Sequence, residues 1–251
     1  MFVSKHKNNT NMLKTTLLII GLAIHISSHT QVTLYVNPDA PSSGSADGTI
    51  SNPYNDIASS VDLAAASSGG DVVIIDGEYD MTDKSVTITA AATPSTVVTI
   101  KPQTTGGVKL NFVDRFGFEF HTDSRYITLE GLELNGRTDE IDYWSIVALG
   151  FWGDSSVQRN GGLAIIIDGQ HINIIDNYIH DWYQKAVEIR DARYAVVKGN
   201  IIHNIATTSL TGGHGIMRQQ KGQECSYRSD RGGGPIDSSS SRLNLRLFLS
   251  D

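Results

Sequence analysis

A repeat of about 23 residues constrains the fold of this chain more than any other feature. Three segments superpose by residue type: SRYITLEGLELNG (124–136), GQHINIIDNYIHD (169–181) and ARYAVVKGNIIHN (192–204). Asn177 and Asn200 are 23 residues apart, as are Asp168 and Asp191. Short β-rich runs at this period, with no helical pattern between them, predict parallel strands that stack from one repeat to the next.

The predicted architecture is a parallel β-helix. Each coil lies about 4.8 Å above the last and buries alternate Ile, Val and Leu side chains in a shared core. The β-branched content excludes helical repeats, and a propeller blade would need a period nearer to about 40 residues. The runs at 71–77, 85–90 and 96–102 extend the series of strands towards the N-terminus.

The opening of the repeat region has a recognisable order of elements. Residues 33–79 read as a strand, a Gly/Ser loop, the tetrapeptide SNPY, a short amphipathic helix (Asp56–Ala66) and a strand ending in DGEY. With the later turns NYIHD and GNIIHN, this region resembles the right-handed parallel β-helix superfamily of pectate-lyase-like proteins, of the secreted bacterial type. The resemblance covers roughly residues 32–221. It implies an all-β fold, a right-handed parallel β-helix solenoid with an N-terminal cap helix.

The chain divides into four predicted parts. Residues 1–30 read as a signal peptide, because a lysine precedes an apolar run that is too short to span a bilayer. Residues 31–70 form the cap and 71–221 the β-helix coils. Residues 222–251 are expected to form an irregular tail, because their composition differs from that of the repeat. The tail is either a natural disordered segment or a frame-shifted reading of a longer gene, in which case the β-helix is truncated. Because of the predicted signal peptide, we expect a protein that is secreted or held at the cell surface.

Composition narrows the possible partners. The formal net charge is −7, which argues against a nucleic-acid partner. Cys225 is the single cysteine, so an intramolecular disulfide is excluded, and no Cys/His cluster has the spacing of a structural zinc site. We expect a monomer that binds a polysaccharide and has no membrane span.

The resemblance implies that the strand before each Asp turn is the one that builds the substrate groove. If Val187 and Ile189 point inward, alternation places Glu188 and Arg190 outward on this face. Hydrolysis would need two carboxylates, and the nearest pairs combine Glu188 with Asp181 or Asp191.

Cleavage of a uronate polysaccharide by β-elimination needs a base and a group that neutralises the sugar carboxylate. Lys185 or His214 could serve as the base, and Arg190 or Arg218 as the neutralising group. A solvated face with ordinary ion pairs is the alternative explanation for these residues.

Aromatic residues concentrate in two neighbouring turns. An insertion at 137–160 carries Tyr143, Trp144 and Trp152, and the next coil adds Trp182 and Tyr183 at the equivalent turn. Large rings beside a groove suit sugar binding, because a pyranose has an apolar C–H face that packs on a ring. These residues are the predicted substrate-binding set. The alternative is a loop that folds over its own aromatic side chains as a small satellite core.

Aspartates recur at one turn of the repeat. Stacking of Asp168 on Asp191 would bring two carboxylates together, and their oxygens suit Ca²⁺. This pair is the predicted metal site, and Ca²⁺ the only cofactor considered. Asx caps, which these residues commonly form at turns, are the alternative.

Three functions remain open from the sequence. The leading hypothesis is a secreted protein that acts on an acidic polysaccharide, with a lyase preferred to a glycoside hydrolase on the same fold. The second is a non-catalytic surface adhesin or carbohydrate-binding β-helix. The third is a fragment without function, because a solenoid that ends near residue 221 exposes an unpaired coil edge.

Overall fold

The structure, a computed structural model, describes residues 30–42, 44–82, 84–112, 116–137, 162–182, 184–205, 214–220, 223–226 and 241–246. The described chain is mostly β, with parallel sheets and one short helix. Within these residues no helix has the length and apolar character needed to cross a membrane. The predicted signal peptide falls almost entirely on residues 1–29, outside the described residues.

Parallel strands form three ladders. The first ladder contains β4 (Val86–Ile88), β7 (Phe116–Phe120), β10 (Leu163–Ile167), β13 (Lys185–Ile189) and β15 (His214–Gln220). The second contains β1 (Val32–Val36), β2 (Gly70–Ile74), β5 (Val98–Pro102), β8 (Arg125–Glu130), β11 (Gln170–Ile175) and β14 (Val196–His203). The third contains β3 (Gly77–Asp80), β6 (Val108–Asn111), β9 (Glu133–Asn135), β12 (Tyr178–His180) and the last residues of β14. From β7 to β15, successive strands lie in the first, second and third ladders in turn, and β14 belongs to both the second and the third.

The cap helix forms where the sequence predicted it. Helix α1 spans Ile57–Ala66, and the Asp56 side chain accepts a hydrogen bond of 2.6 Å from the backbone N–H of Ser59. This contact satisfies one of the N–H groups that a helix leaves unpaired at its start. Ile57, Val61 and Ala64 are buried and join the hydrophobic core. The helix therefore packs against the earliest strands, β1, β2, β4 and β5.

Buried asparagines fix the register between coils. Asn177 Nδ2 donates to Asn200 Oδ1 at 3.0 Å, and Asn200 Nδ2 donates to the Ile174 carbonyl at 2.8 Å. Both side chains are almost fully buried. The predicted stacking of Asn177 on Asn200 is confirmed.

The predicted stacking of Asp168 on Asp191 is wrong by one residue. Strands β10 and β13 pair with an offset of 22 residues, for example Ile167 with Ile189, so Arg190 comes next to Asp168. The offset becomes 23 residues at the following bridge, Gln170 with Arg193. The turn of the later coil thus contains one residue more than the turn of the earlier coil.

Two segments of the predicted irregular tail are strands. Strand β16 (Gln223–Ser226) pairs antiparallel with β15, and β17 (Ser241–Arg246) pairs antiparallel with β14. The prediction of an irregular tail is wrong for these residues. A strand edge offers unpaired backbone N–H and C=O groups, and these segments pair with such edges.

Candidate functional site

Three residues of the first ladder are in register on the side of the strands away from the core, and the middle one, Ile166, is fully buried. Glu119 of β7 pairs with Ile166 of β10, which pairs with Glu188 of β13. The flanking residues Val187 and Ile189 are buried in the core, as alternation along a strand requires. Glu119 and Glu188 therefore lie two coils apart, about 9–10 Å by the strand spacing.

Glu188 and Lys185 form an ion pair on this face. Lys185 Nζ lies 2.7 Å from Glu188 Oε1, and the two side chains are 20% and 7% exposed. Glu188 therefore occupies a strand position that faces away from the core, but its side chain is almost fully buried. The ammonium of Lys185 supplies the charge partner that a carboxylate in this position needs.

Arg190 links two more carboxylates to the same site. Its Nε donates to Asp168 Oδ1 at 2.8 Å, its Nη2 donates to Asp168 Oδ2, and Nη2 also reaches Glu119 Oε1 at 3.2 Å. Burial alone would lower the pKa of Arg190, but the hydrogen bonds and charge of Asp168, with the charges of Glu188 and Glu119, raise it. We call Glu119, Asp168, Lys185, Glu188 and Arg190 the carboxylate cluster.

The cluster contains three carboxylates and two cations, and each cation is paired. Lys185 is engaged by Glu188, and Arg190 by Asp168 and Glu119. A β-elimination site needs a base ready to accept a proton and a cation able to meet a sugar carboxylate. In this arrangement the cations already neutralise protein carboxylates.

Two predicted catalytic residues lie on the next strand of the first ladder. The register pairs His214 with Lys185, and Arg218 with Ile189. Arg218 therefore shares a register position with a buried residue of the neighbouring strand rather than with Arg190. The side chains of His214 and Arg218 lie outside the described residues.

Trp182 is a core residue, so its predicted role in sugar binding is wrong. The side chain is fully buried, its indole N–H donates to the Leu134 carbonyl at 3.1 Å, and its ring lies 5.6 Å from that of Phe112. A Cβ at Gly117 would lie 2.9 Å from the Trp182 ring, and one at Gly136 would lie 2.8 Å from it. The two glycines therefore leave the room that this ring occupies. The other four predicted sugar-binding residues lie outside the described residues: Tyr143, Trp144, Trp152 and Tyr183.

The predicted calcium site is not assembled at the Asp turn. Asp168 faces Arg190 rather than Asp191, because the register differs by one residue from the sequence repeat. Among the described residues, no group of three or more His, Cys, Asp or Glu side chains is placed to hold a metal ion. A Ca²⁺ ion at Asp168 would have to displace the guanidinium of Arg190, so the arrangement does not favour the calcium binding that the sequence suggested.

A second polar cluster, on the third ladder, was not predicted as a site. His180 Nδ1 lies 2.6 Å from Asp181 Oδ2, and His180 Nε2 lies 3.1 Å from Glu133 Oε1 of the preceding coil. The His203 ring stacks on that of His180 at 5.1 Å and contacts the Tyr178 hydroxyl. The 23-residue spacing of the two histidines signals the stacking, but nothing in the spacing indicates that Glu133 reaches His180.

The comparisons with known proteins find similar solved structures but no family. No family model and no curated protein matches the chain. The chain is similar to a crystal structure of GH136 lacto-N-biosidase from Eubacterium ramulus, a selenomethionine derivative, with 14% identity and a TM-score of 0.45 over 68% of this chain and 34% of that one. The native form of that protein is 12% identical, with a TM-score of 0.42 over 84% of this chain and 36% of that one. The chain spans about a third of the length of these structures.

Proposed function

We propose that the three ladders close into a right-handed parallel β-helix of the pectate-lyase-like superfamily. Crossovers between parallel strands of one sheet are right-handed in nearly all proteins. Buried residues from all three ladders form one continuous core, as a closed coil requires. The apolar segment before residue 31 supports export, so the proposal includes a secreted or surface-bound protein.

The proposed function is carbohydrate-active, and the reaction is glycoside hydrolysis at the carboxylate cluster. The observation that carries it is the register that places Glu119 and Glu188 two coils apart, with the buried Ile166 between them. Inverting glycosidases hold two carboxyl groups about 6.5–9.5 Å apart, which leaves room for a water molecule. A backbone separation of about 9–10 Å, with flexible glutamate side chains, suits that geometry.

In the proposed reaction one protonated carboxyl gives its proton to the glycosidic oxygen as the bond from C1 to that oxygen breaks. The other carboxylate takes a proton from the water whose oxygen bonds to C1. Glu119 is 27% exposed and Glu188 is 7% exposed, so Glu119 is better placed to activate water. Glu188 takes the acid role in its protonated form, in which its carboxyl is released from the ion pair with Lys185. Lys185 and Arg190 hold the two glutamates in position.

The charges of the cluster favour a neutral glycan as substrate. Both cations are paired with protein carboxylates, and the chain has a net charge of −7. A polyanion would meet repulsion unless it broke these pairs. A lyase acting on an acidic polysaccharide is the second candidate, favoured by the register that places Lys185 beside His214.

The test is to incubate the folded chain with neutral and uronate oligosaccharides and to follow two signals. New reducing ends without ultraviolet absorbance report hydrolysis, and absorbance from a new C4–C5 double bond reports elimination. The variants are Glu188→Gln and Glu119→Gln. The matched control is Glu130→Gln, because Glu130 is an exposed glutamate at the end of β8.

The proposal predicts reducing ends from a neutral glycan, a loss of about 10²-fold or more in both cluster variants, and wild-type rates in the control. Ultraviolet absorbance from a uronate substrate would establish the lyase instead. Binding without either product would establish the non-catalytic carbohydrate-binding alternative.

A further inference from the structure

Three aromatic rings form a continuous stack where the second-ladder strands begin. The Tyr126 and His171 rings lie 4.3 Å apart and are inclined by 8°, and the His171 and Tyr194 rings lie 4.5 Å apart and are inclined by 13°. The backbones of all three residues have φ between 55° and 57°. An L-residue in this left-handed region costs about 1–2 kcal/mol relative to the right-handed form. Three successive coils thus place a ring at positions where glycine would be unstrained.

A groove runs alongside this aromatic stack. It has a volume of about 340 Å³ and is lined by Val97, Tyr126, His171, Asn173, Tyr194 and Val196. Asn173 Nδ2 donates to Thr128 Oγ1 at 3.1 Å, which holds the amide on the groove wall. An apolar groove with a few oriented polar groups is the usual form of a small-molecule site.

The last ring of the stack is partly exposed. Tyr194 is 37% exposed, the same as Tyr178 on the third ladder. Tyr194 is stacked with His171, and no other ring stacking is found for it among the described residues. A partly exposed tyrosine at the end of a stack can receive the C–H face of a pyranose.

Among the described residues, the lining of the groove carries no acidic or basic side chain other than the histidine, and exposed residues of both charges are its neighbours in sequence. Arg125 and Arg193 are exposed beside the stack, and Gln170 pairs with each of them in the β-ladder. Asp123 and Asp191, also exposed, precede the two arginines by two residues. Guanidinium, carboxamide and carboxylate groups together offer donors and acceptors to sugar hydroxyls without a net charge. This balance favours a neutral ligand.

We infer that the second-ladder groove is a binding site for a neutral oligosaccharide, separate from the carboxylate cluster. The ligand would run across the coils, with one sugar ring on Tyr194 and hydroxyls on Asn173. This inference takes its ligand class from the proposed function but does not require that the protein cleaves a glycan.

The test measures binding by isothermal titration calorimetry of the full chain with cellohexaose, xylohexaose and laminarihexaose, and with hexagalacturonate as the acidic probe. The variants are Tyr194→Ala and Asn173→Ala. Tyr178→Ala is the matched control, because Tyr178 has the same exposed fraction on another ladder. Circular dichroism and the melting temperature check that each variant is folded.

The inference predicts that at least one neutral hexasaccharide binds, that Tyr194→Ala weakens this binding about fivefold or more, and that Tyr178→Ala binds as the wild type does. The expected Asn173→Ala effect is a weakening in the same direction. The inference is overturned if no neutral probe binds, if hexagalacturonate binds more tightly, or if the control loses as much affinity as Tyr194→Ala.

The two proposals can fail separately. A Glu188→Gln protein that has lost hydrolysis but keeps full affinity in the groove supports both. Binding by a wild-type protein that cleaves nothing supports the groove and rejects hydrolysis. Hydrolysis with unchanged affinity in Tyr194→Ala rejects the groove alone.

Discussion

The asparagine turn and the aspartate turn of the repeat behave differently, although the sequence gives both a 23-residue spacing. At the asparagine turn, Asn177 and Asn200 stack and bond to each other. At the aspartate turn, Asp168 contacts Arg190 and the ladder offset is 22 residues. The difference teaches that a spacing in sequence becomes a contact only where burial enforces it.

Burial explains the difference in physical terms. A buried amide must find its hydrogen-bond partners inside the protein, so a slip of one residue would leave polar groups unsatisfied. A side chain at a partly exposed turn can exchange a protein partner for water at little cost. The aspartate turn can therefore absorb an extra residue, and its charged side chains, Asp168 and Arg190, pair with each other instead of with their sequence equivalents.

The largest effect is expected at Trp182, which is fully buried in the core as Asn177 and Asn200 are. Replacing the buried ring in Trp182→Ala should reduce the free energy of unfolding by about 3–5 kcal/mol, because it removes the packing with Phe112 and leaves a cavity. Urea denaturation measures the loss. Tyr178→Ala, which removes a partly exposed ring, is the control. A loss below about 1 kcal/mol would show that Trp182 is not a core residue.

Asn200→Ala tests the asparagine turn itself. The change leaves the backbone N–H of Asn177 without its bond to Asn200 Oδ1 and should cost about 1–3 kcal/mol. Asn173→Ala is the matched control, since Asn173 is only half-buried and bonds to the Thr128 hydroxyl. Equal and small losses in both variants would contradict the claim that the buried amide sets the register.

Arg190→Met tests the aspartate turn. Arg190 is 35% exposed but Asp168, which it binds with two hydrogen bonds, is only 13% exposed, so removal of the pair should lower stability by about 1–3 kcal/mol, and the loss should shrink in high salt. Thermal melting at low and high ionic strength measures both. A loss that is the same at low and high ionic strength, as expected for Asn200→Ala, would remove the distinction between the two turns.

Calcium should have the smallest effect. Because Asp168 is already paired with Arg190, addition of Ca²⁺ or its removal by a chelator should leave the melting temperature unchanged. A rise in melting temperature on adding Ca²⁺ that disappears in Asp168→Asn would show that the ion displaces the guanidinium.

The sequence predicted the features that repeat or follow simple alternation. The cap helix, the strand positions and the Asn177–Asn200 stacking all follow from periodicity and capping rules. The role of Trp182 was predicted wrongly, because the sequence around an aromatic residue beside an insertion does not indicate whether its ring faces solvent or the core. The Glu133 contact with His180 and the Tyr126–His171–Tyr194 stack depend on register at corners, where one residue more or less changes which side chains meet.

The stereochemistry of the cleaved product tests the central claim, that Glu119 and Glu188 act together across two coils. Proton NMR of the first product formed from a neutral oligosaccharide identifies the configuration at the new anomeric centre before mutarotation. The spacing of the two glutamates predicts inversion, because a water molecule must fit between the carboxylates. A product with retained configuration would require a carboxylate pair only about 5–5.5 Å apart and would contradict the account.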